Sequence, residues 1–277
     1  MRKSGRTGFR TERRRWDPQR VPLCLAVVLF LIAASSAAQE NPATLDLYLL
    51  AGQSNMAGRG QVAPEDTVRH PRVFALSDSM TWRPAYEPIH FDKPDIVGVG
   101  PGFAFGKALA TMDTSRVIGL IPAAVGGSPI ETWKPGAVHL QTKTRPYDDA
   151  VSRTFRVLAL HGGTLRGIIW HQGEANSKSS PEEYAAALDQ LVERFRGDFE
   201  ITDLPFVAAP LAPFFTDRVP SALAINGVIM NLPDRVPKTA VVRTDDLTSK
   251  DDNVHLDAAS ARVLGRRYAE AISLLNK

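Results

Sequence analysis

The chain has 277 residues, 44% of them hydrophobic and 23% charged, with a formal charge of +3; this composition excludes a disordered or collagenous chain and suits one sizeable core. The basic excess sits at the front, where residues 1–38 hold eight Lys or Arg against Glu12 and Asp17, so residues 39–277 carry about −3 and offer no footprint for nucleic acid. Cys24, the only cysteine, lies in that front segment, which leaves the remainder without disulfides, a cysteine nucleophile or thiolate metal sites, and the six histidines lack ligand spacing, so neither metal nor cofactor is expected.

Residues 1–38 read as a secretory signal: a basic start, an apolar run from Val21 to Ala34, then Ser35-Ser36-Ala37-Ala38 where a signal peptidase would cut. The apolar run is shorter than the roughly 20 residues of a spanning helix. The expectation is cleavage after Ala38, export to the periplasm or the exterior, and no stable membrane insertion afterwards; an uncleaved anchor is the alternative. The domain then occupies residues 39–277.

The first strand is expected at Leu45–Leu50, and Gly52-Gln53-Ser54-Asn55-Met56 follows it at a turn. Ser54 has two readings there, an N-cap for the next helix or a hydroxyl nucleophile that needs a neighbouring base. With no glycine at 56, the Gly-x-Ser-x-Gly elbow is not matched. Residues 60–100 read as a long, Pro-rich, loop-dominated excursion, of the kind that shapes a cleft. A helix near 102–112 leads to a second strand, Val117–Ile121, and to Gly126-Gly127-Ser128, where glycine lets the backbone approach closely.

A helix near 148–160 and a third strand, Gly167–Trp170, precede His171-Gln172-Gly173-Glu174. The clearest helix spans 181–196: Ser180 can cap it, Pro181 suits its first position, and Glu183 would complete a capping box. Strands at Phe206–Ala209 and Ala240–Arg243 follow, then Asp252-Asn253-Val254-His255 and a final helix after Asp257 with Leu264, Tyr268, Ile272 and Leu275 on one stripe. Alternating strands and helices imply a parallel sheet covered by helices.

Ligands of such sheets bind beyond the carboxyl ends of the strands, and the polar clusters sit there. His255 is the candidate base, and Asp252, three residues earlier, can hold its imidazole in the required tautomer. Asp251 and Asp257 compete for that role. The oxyanion formed on attack needs preorganised donors, for which the Ser54 amide, the Gly127 amide and the Gln172 side chain are candidates. Glu174 either orients its loop or rivals Asp252; Gln53 and Asn55 line the site.

Taken in order, Gly52-Gln53-Ser54-Asn55-Met56-Ala57-Gly58, Gly100-Pro101-Gly102, Gly126-Gly127-Ser128-Pro129-Ile130 with Trp133 and Pro135-Gly136, His171-Gln172-Gly173-Glu174 and Asp252-x-x-His255 resemble the sialate O-acetylesterase-like branch of the SGNH (GDSL-like) hydrolases, which includes carbohydrate esterase family six acetylxylan esterases. The resemblance spans about residues 45–275. It implies a flavodoxin-like, three-layer α/β/α fold with a five-stranded parallel sheet and metal-independent ester hydrolysis. It makes Ser54 the nucleophile, Asp252 and His255 its partners, and Gly127 and Gln172 oxyanion donors. The wider superfamily has an Asn in the third cluster; here Gln172–Glu174 replaces it, and Asn176 is a substitute. The expected substrate is an acetylated carbohydrate.

Two other functions compete with deacetylation. A catalytically silent glycan-binding protein would stack sugars on Trp82, Tyr86, Trp133 and Trp170, and an esterase for longer acyl chains would need an apolar acyl pocket that the sequence does not display. Residues 60–100 and 129–147 are the segments expected to select the substrate.

Overall fold

The computed structural model describes residues 45–277; the secretory signal expected over residues 1–38, with Cys24, lies outside them. In chain order the elements are β1 (Leu45–Gly52), α1 (Ser54–Ala57), β2 (Val73–Leu76), β3 (Trp82–Pro84), α2 (Pro101–Met112), β4 (Val117–Pro122), α3 (Pro146–His161), β5 (Thr164–His171), α4 (Pro181–Asp198), β6 (Phe206–Ala208), α5 (Pro213–Arg218), α6 (Ala222–Met230), α7 (Leu232–Arg235), β7 (Thr239–Val241) and α8 (Ala258–Leu275).

The strands form one sheet in the order β3-β2-β4-β1-β5-β6-β7. All neighbours pair parallel except β2 and β3, which are antiparallel. The expectation of five strands is therefore corrected to seven. The five predicted strands form the continuous block β4-β1-β5-β6-β7, and the two additions extend one edge from within residues 60–100. Both are short, and β3 ends on Pro84, whose missing N–H suits an edge.

β1 sits in the middle and is buried on both faces after its first residue, as expected where helices cover both sides of a parallel sheet. Its alternation distributes the core. Tyr48 and Leu50 pack with Phe103 and Phe105 of α2 and Leu264, Tyr268 and Ile272 of α8. Leu47, Leu49 and Ala51 pack on the opposite face with Tyr147 and Val157 of α3 and Tyr184, Leu188 and Phe195 of α4.

The helix expected at 181–196 runs from Pro181 to Asp198, and Ser180 caps it by accepting from the Glu183 N–H at 3.3 Å. The reciprocal half of the capping box is absent. The Ser180 hydroxyl instead donates to Glu182 at 2.7 Å. Asp257 caps α8, accepting from the Ser260 N–H at 2.7 Å. Trp133 and Trp170 are fully buried and meet edge to face at 5.0 Å, so both belong to the core and not to a sugar platform. Among the described residues, no helix is long and apolar enough to cross a membrane.

Candidate active site

β1 delivers Ser54 to the carboxyl edge of the sheet through Gly52, whose φ is +131°. A Cβ on Gly52 would stand 2.1 Å from the His171 carbonyl oxygen on the neighbouring strand, so no larger residue fits between β1 and β5. The Gln53 N–H donates to that same carbonyl at 2.9 Å, and the chain then turns into the single turn of α1. The cap position of α1 belongs to Gln53, which makes no side-chain cap. The N-cap reading of Ser54 is thereby replaced: its side chain faces His255, with Oγ 3.1 Å from Nε2.

His255 stands in the loop between β7 and α8. Its Nδ1 lies 2.7 Å from Asp252 Oδ2. The other oxygen of Asp252 accepts from the backbone N–H groups of Val254 at 2.9 Å and His255 at 2.8 Å. Burial opposes ionisation of Asp252, but the His255 backbone N–H, its side chain and the Val254 N–H outweigh it and hold the carboxyl down at about 2. With Nδ1–H donated to this carboxylate, Nε2 is left to accept the Ser54 hydroxyl proton. Asp257, a competitor on spacing alone, is committed to α8 and to the Thr248 hydroxyl.

Asn55 joins the serine turn to the histidine loop. Its Nδ2 donates to the Val254 carbonyl at 3.0 Å and its Oδ1 accepts from the Leu256 N–H at 2.8 Å, so one side chain grips the backbone on both sides of His255. Glu174 Oε1 accepts from the same Nδ2 at 2.5 Å and lies 3.6 Å from His171 Nε2. Burial disfavours its charge, yet the His171 side chain and the Asn55 bond prevail and keep the carboxyl below the usual range. Glu174 is thus bonded to Asn55 and stands beside His171, while the carboxylate on His255 Nδ1 is that of Asp252.

Oxyanion donors must be N–H groups with nothing else to bond. The Ser54 and Gly127 backbone amides meet that condition among the described residues. Gly127 is exposed with φ +82°, and the Val125 N–H donates to the Gly52 carbonyl at 2.9 Å, tying the glycine loop to the serine turn. Gln172 does not meet it. It is 0% exposed, and its Nε2 donates to Asn176 Oδ1 at 2.7 Å, Gln53 Oε1 at 3.2 Å and the Ser128 carbonyl at 3.3 Å. Asn176 is equally occupied, since its Nδ2 donates to Glu131 at 2.9 Å and to the Ser179 hydroxyl at 3.0 Å. Gln53, Gln172 and Asn176 thus form a buried lattice behind the site. It is completed by Tyr184, whose hydroxyl donates to Gln172 Oε1 at 3.0 Å.

Two residues with no part in the sequence-derived site stand against it. Arg59 and Asp92 form an ion pair at 2.8 Å, with side chains only 2% and 3% exposed, and Asp92 also accepts the Gly126 N–H at 2.8 Å. No motif marked them, because their pairing spans 33 residues of a loop-dominated segment. Burial of two opposite charges is visible only in the folded chain.

The fold and these contacts define an α/β protein in which Ser54, His255 and Asp252 stand within hydrogen-bonding distance in a row at the carboxyl edge of a mostly parallel sheet. A family described as "Carbohydrate esterase, sialic acid-specific acetylesterase" matches residues 44–273, and the chain belongs to it. A probable carbohydrate esterase of Arabidopsis thaliana is 31% identical over 247 residues, covering 81% of this chain and 89% of that protein. An X-ray structure of an Arabidopsis thaliana protein superposes with a TM-score of 0.73 at 27% identity, over 83% of this chain and 98% of that one. A sialate O-acetylesterase of Pongo abelii is 26% identical over 188 residues, which are 56% of this chain and 36% of that protein.

Proposed function

We propose that the protein is an exported serine O-acetylesterase that removes acetyl groups from a carbohydrate, with Ser54 as nucleophile, His255 as general base and Asp252 as the group that orients the imidazole. In this reading the fold is that of a three-layer SGNH hydrolase. The observation that carries it is the unbroken relay from Asp252 Oδ2 through His255 to Ser54 Oγ, at 2.7 and 3.1 Å.

Ser54 Oγ attacks the acetyl carbonyl carbon while Nε2 takes its proton, and the carbonyl oxygen becomes an oxyanion facing the Ser54 and Gly127 amides. Collapse expels the sugar oxygen, which receives the proton from the imidazolium, and an acetyl-enzyme remains. Water then repeats the sequence: His255 removes its proton, the hydroxide attacks, acetate leaves and Ser54 recovers its hydrogen. Each amide donor contributes about 10²–10³ in rate when preorganised. Gln172 enters this reading as a support for the loop behind the site.

The test is acetate release from acetylated xylan, acetylated sialic acids and acetylated peptidoglycan side by side, with Ser54→Ala as control. A folded Ser54→Ala protein is expected to lose about 10³-fold or more in kcat on whichever substrate turns over. An unchanged rate would remove Ser54 from the mechanism.

A further inference from the structure

We infer that Arg59 and Asp92 are positioning residues for the oxyanion donor on Gly127, an inference that rests on the esterase reading above. The two side chains link three separate segments at the carboxyl edge of the sheet. Arg59 directly follows the serine turn, and its backbone is fixed: the Gly98 N–H donates to the Gly58 carbonyl at 3.1 Å, and Gly60 and Val99 exchange hydrogen bonds at 3.1 and 2.8 Å. Its Nη1 donates to the Gly58 carbonyl at 2.6 Å and its Nη2 to Asp92 Oδ2 at 2.8 Å. That one carboxylate oxygen also accepts the Gly126 N–H at 2.8 Å.

The Gly126 amide is thus held by a charge-assisted bond, shorter and stronger than one to a neutral acceptor. The peptide that follows it carries the N–H of Gly127, an exposed residue whose N–H has no hydrogen-bond partner among the described residues. A Cβ on Gly126 would stand 2.4 Å from Arg59 Nη2 and 2.8 Å from Asp92 Oδ2, so the ion pair abuts the loop from behind and its position limits where the loop can lie. The nucleophile and the donor are therefore spaced by a continuous chain of bonds: Ser54 turn, Arg59, Asp92, Gly126, Gly127.

Stability alone is a weak reason for this pair. Two charges taken out of water repay their desolvation only with good geometry and satisfied partners, and well-packed apolar replacements are often neutral or stabilising. Asp92 Oδ1 is moreover buried with no partner. What the pair supplies is a fixed acceptor for Gly126. A displacement of about 1 Å at a reacting group costs on the order of 10²-fold in rate, comparable to removal of one oxyanion donor.

The experiment compares wild type, the double variant Arg59→Met with Asp92→Leu, and the single variant Asp92→Asn, on a chromogenic acetyl ester. Circular dichroism and thermal melts monitor the fold, hydrogen exchange at the Gly126 amide reports the tether, and inhibition by methylboronic acid, which forms a tetrahedral adduct on the serine, reports the donor geometry. The double variant is expected to fold, to exchange Gly126 faster, and to lose about 10²-fold in kcat with KM within about twofold. Its boronic acid inhibition constant should rise in proportion to the loss of kcat/KM, a response that a purely structural role would not produce. Asp92→Asn, which keeps an acceptor oxygen, should fall between; if the double variant does not fold, Asp92→Asn carries the test with an expected loss of about tenfold in kcat and a parallel loss of inhibition.

A folded variant with faster Gly126 exchange but kcat and boronic acid affinity within about threefold of wild type overturns the positioning role and leaves the esterase reading intact. Absence of Ser54-dependent turnover in the wild type overturns the esterase reading, and the inference with it.

Discussion

Asn55 is the side chain through which the serine turn and the histidine loop share one geometry. It spends both ends of its amide on the backbone flanking His255, and Glu174 fixes which way that amide points. Asn55→Ala strands the Val254 carbonyl and the Leu256 N–H and leaves Glu174 with His171 alone. We expect a loss of about 1–3 kcal/mol of stability, the cost of buried groups left without partners, and a fall of about 10–10² in kcat as His255 drifts from Ser54. Glu174→Gln, which retains an acceptor for Asn55, should show the milder effect of the two. Steady-state kinetics with denaturant melts separate the quantities, and an Asn55→Ala enzyme with wild-type kcat would show that the histidine loop holds itself. At this scale the sequence spoke clearly for Ser54, Asp252 and His255, since each follows a predicted strand and the Asp-x-x-His spacing closes on itself. It was silent on what claims the buried Gln172 amide. Local sequence does not reveal that Asn176, Gln53 and Ser128 do.

Elements set where these side chains stand. α8 begins three residues after His255, and its packing against α2 determines where that loop is anchored. Gly265 is the point of closest approach, where an added Cβ would lie 2.3 Å from the Pro101 carbonyl oxygen and 2.8 Å from the Phe105 nitrogen. Both are backbone atoms, which cannot rotate away. In an open helix, Gly→Ala gains up to about 1 kcal/mol. Here the substitution is expected to destabilise by about 1–3 kcal/mol through overpacking and to lower kcat by shifting the start of α8; a more stable variant with unchanged activity would show that the two helices can separate freely. Long periodic elements such as α4 and α8 were legible because their apolar stripes repeat over several turns. β2 and β3 were not, at four and three residues, since so short a span has no period to read. α5, α6 and α7 went unseen for a related reason: Pro213, Pro220 and Pro233 cut residues 213–235 into short pieces. Yet that region supports the site, because Leu211, Phe215 and Ala222 pack with Val254, and Arg218 donates to the Asn253 carbonyl at 3.2 Å.

For the molecule as a whole, the segment over residues 60–100 is stapled to the rest by carboxyl groups, and one of them couples stability to pH. Asp66 receives a two-point bond from Arg262 of α8 at 2.8 and 2.6 Å. Glu87, whose own N–H donates to the Asp66 carbonyl at 3.0 Å, is 3% exposed. One of its oxygens accepts the Ile89 N–H at 2.9 Å and the other has no partner. Burial drives its pKa from the ordinary 4.5 up to about 8, against the smaller opposing effect of nearby backbone N–H groups and with the Asp66 charge adding to the rise. The sign follows from proton counts. Between about pH 4.5 and 8 the folded chain holds a proton that the unfolded chain has released, so stability from this group falls as pH rises across that window and levels off above it. A tenfold difference in proton affinity between folded and unfolded chains is worth about 1.4 kcal/mol, which sets the full effect at a few kcal/mol, about 2–5. Glu87→Gln reproduces the neutral acid in shape and never ionises. It should match the wild type near about pH 4.5 and exceed it by about 2–4 kcal/mol near about pH 8.5, as read by denaturant melts across the range. Taking the difference between the two proteins at each pH removes the titrating groups that are not coupled to Glu87, Asp252 among them. Curves that stay parallel would mean that Glu87 is already ionised in the folded chain, held by the backbone N–H groups around it.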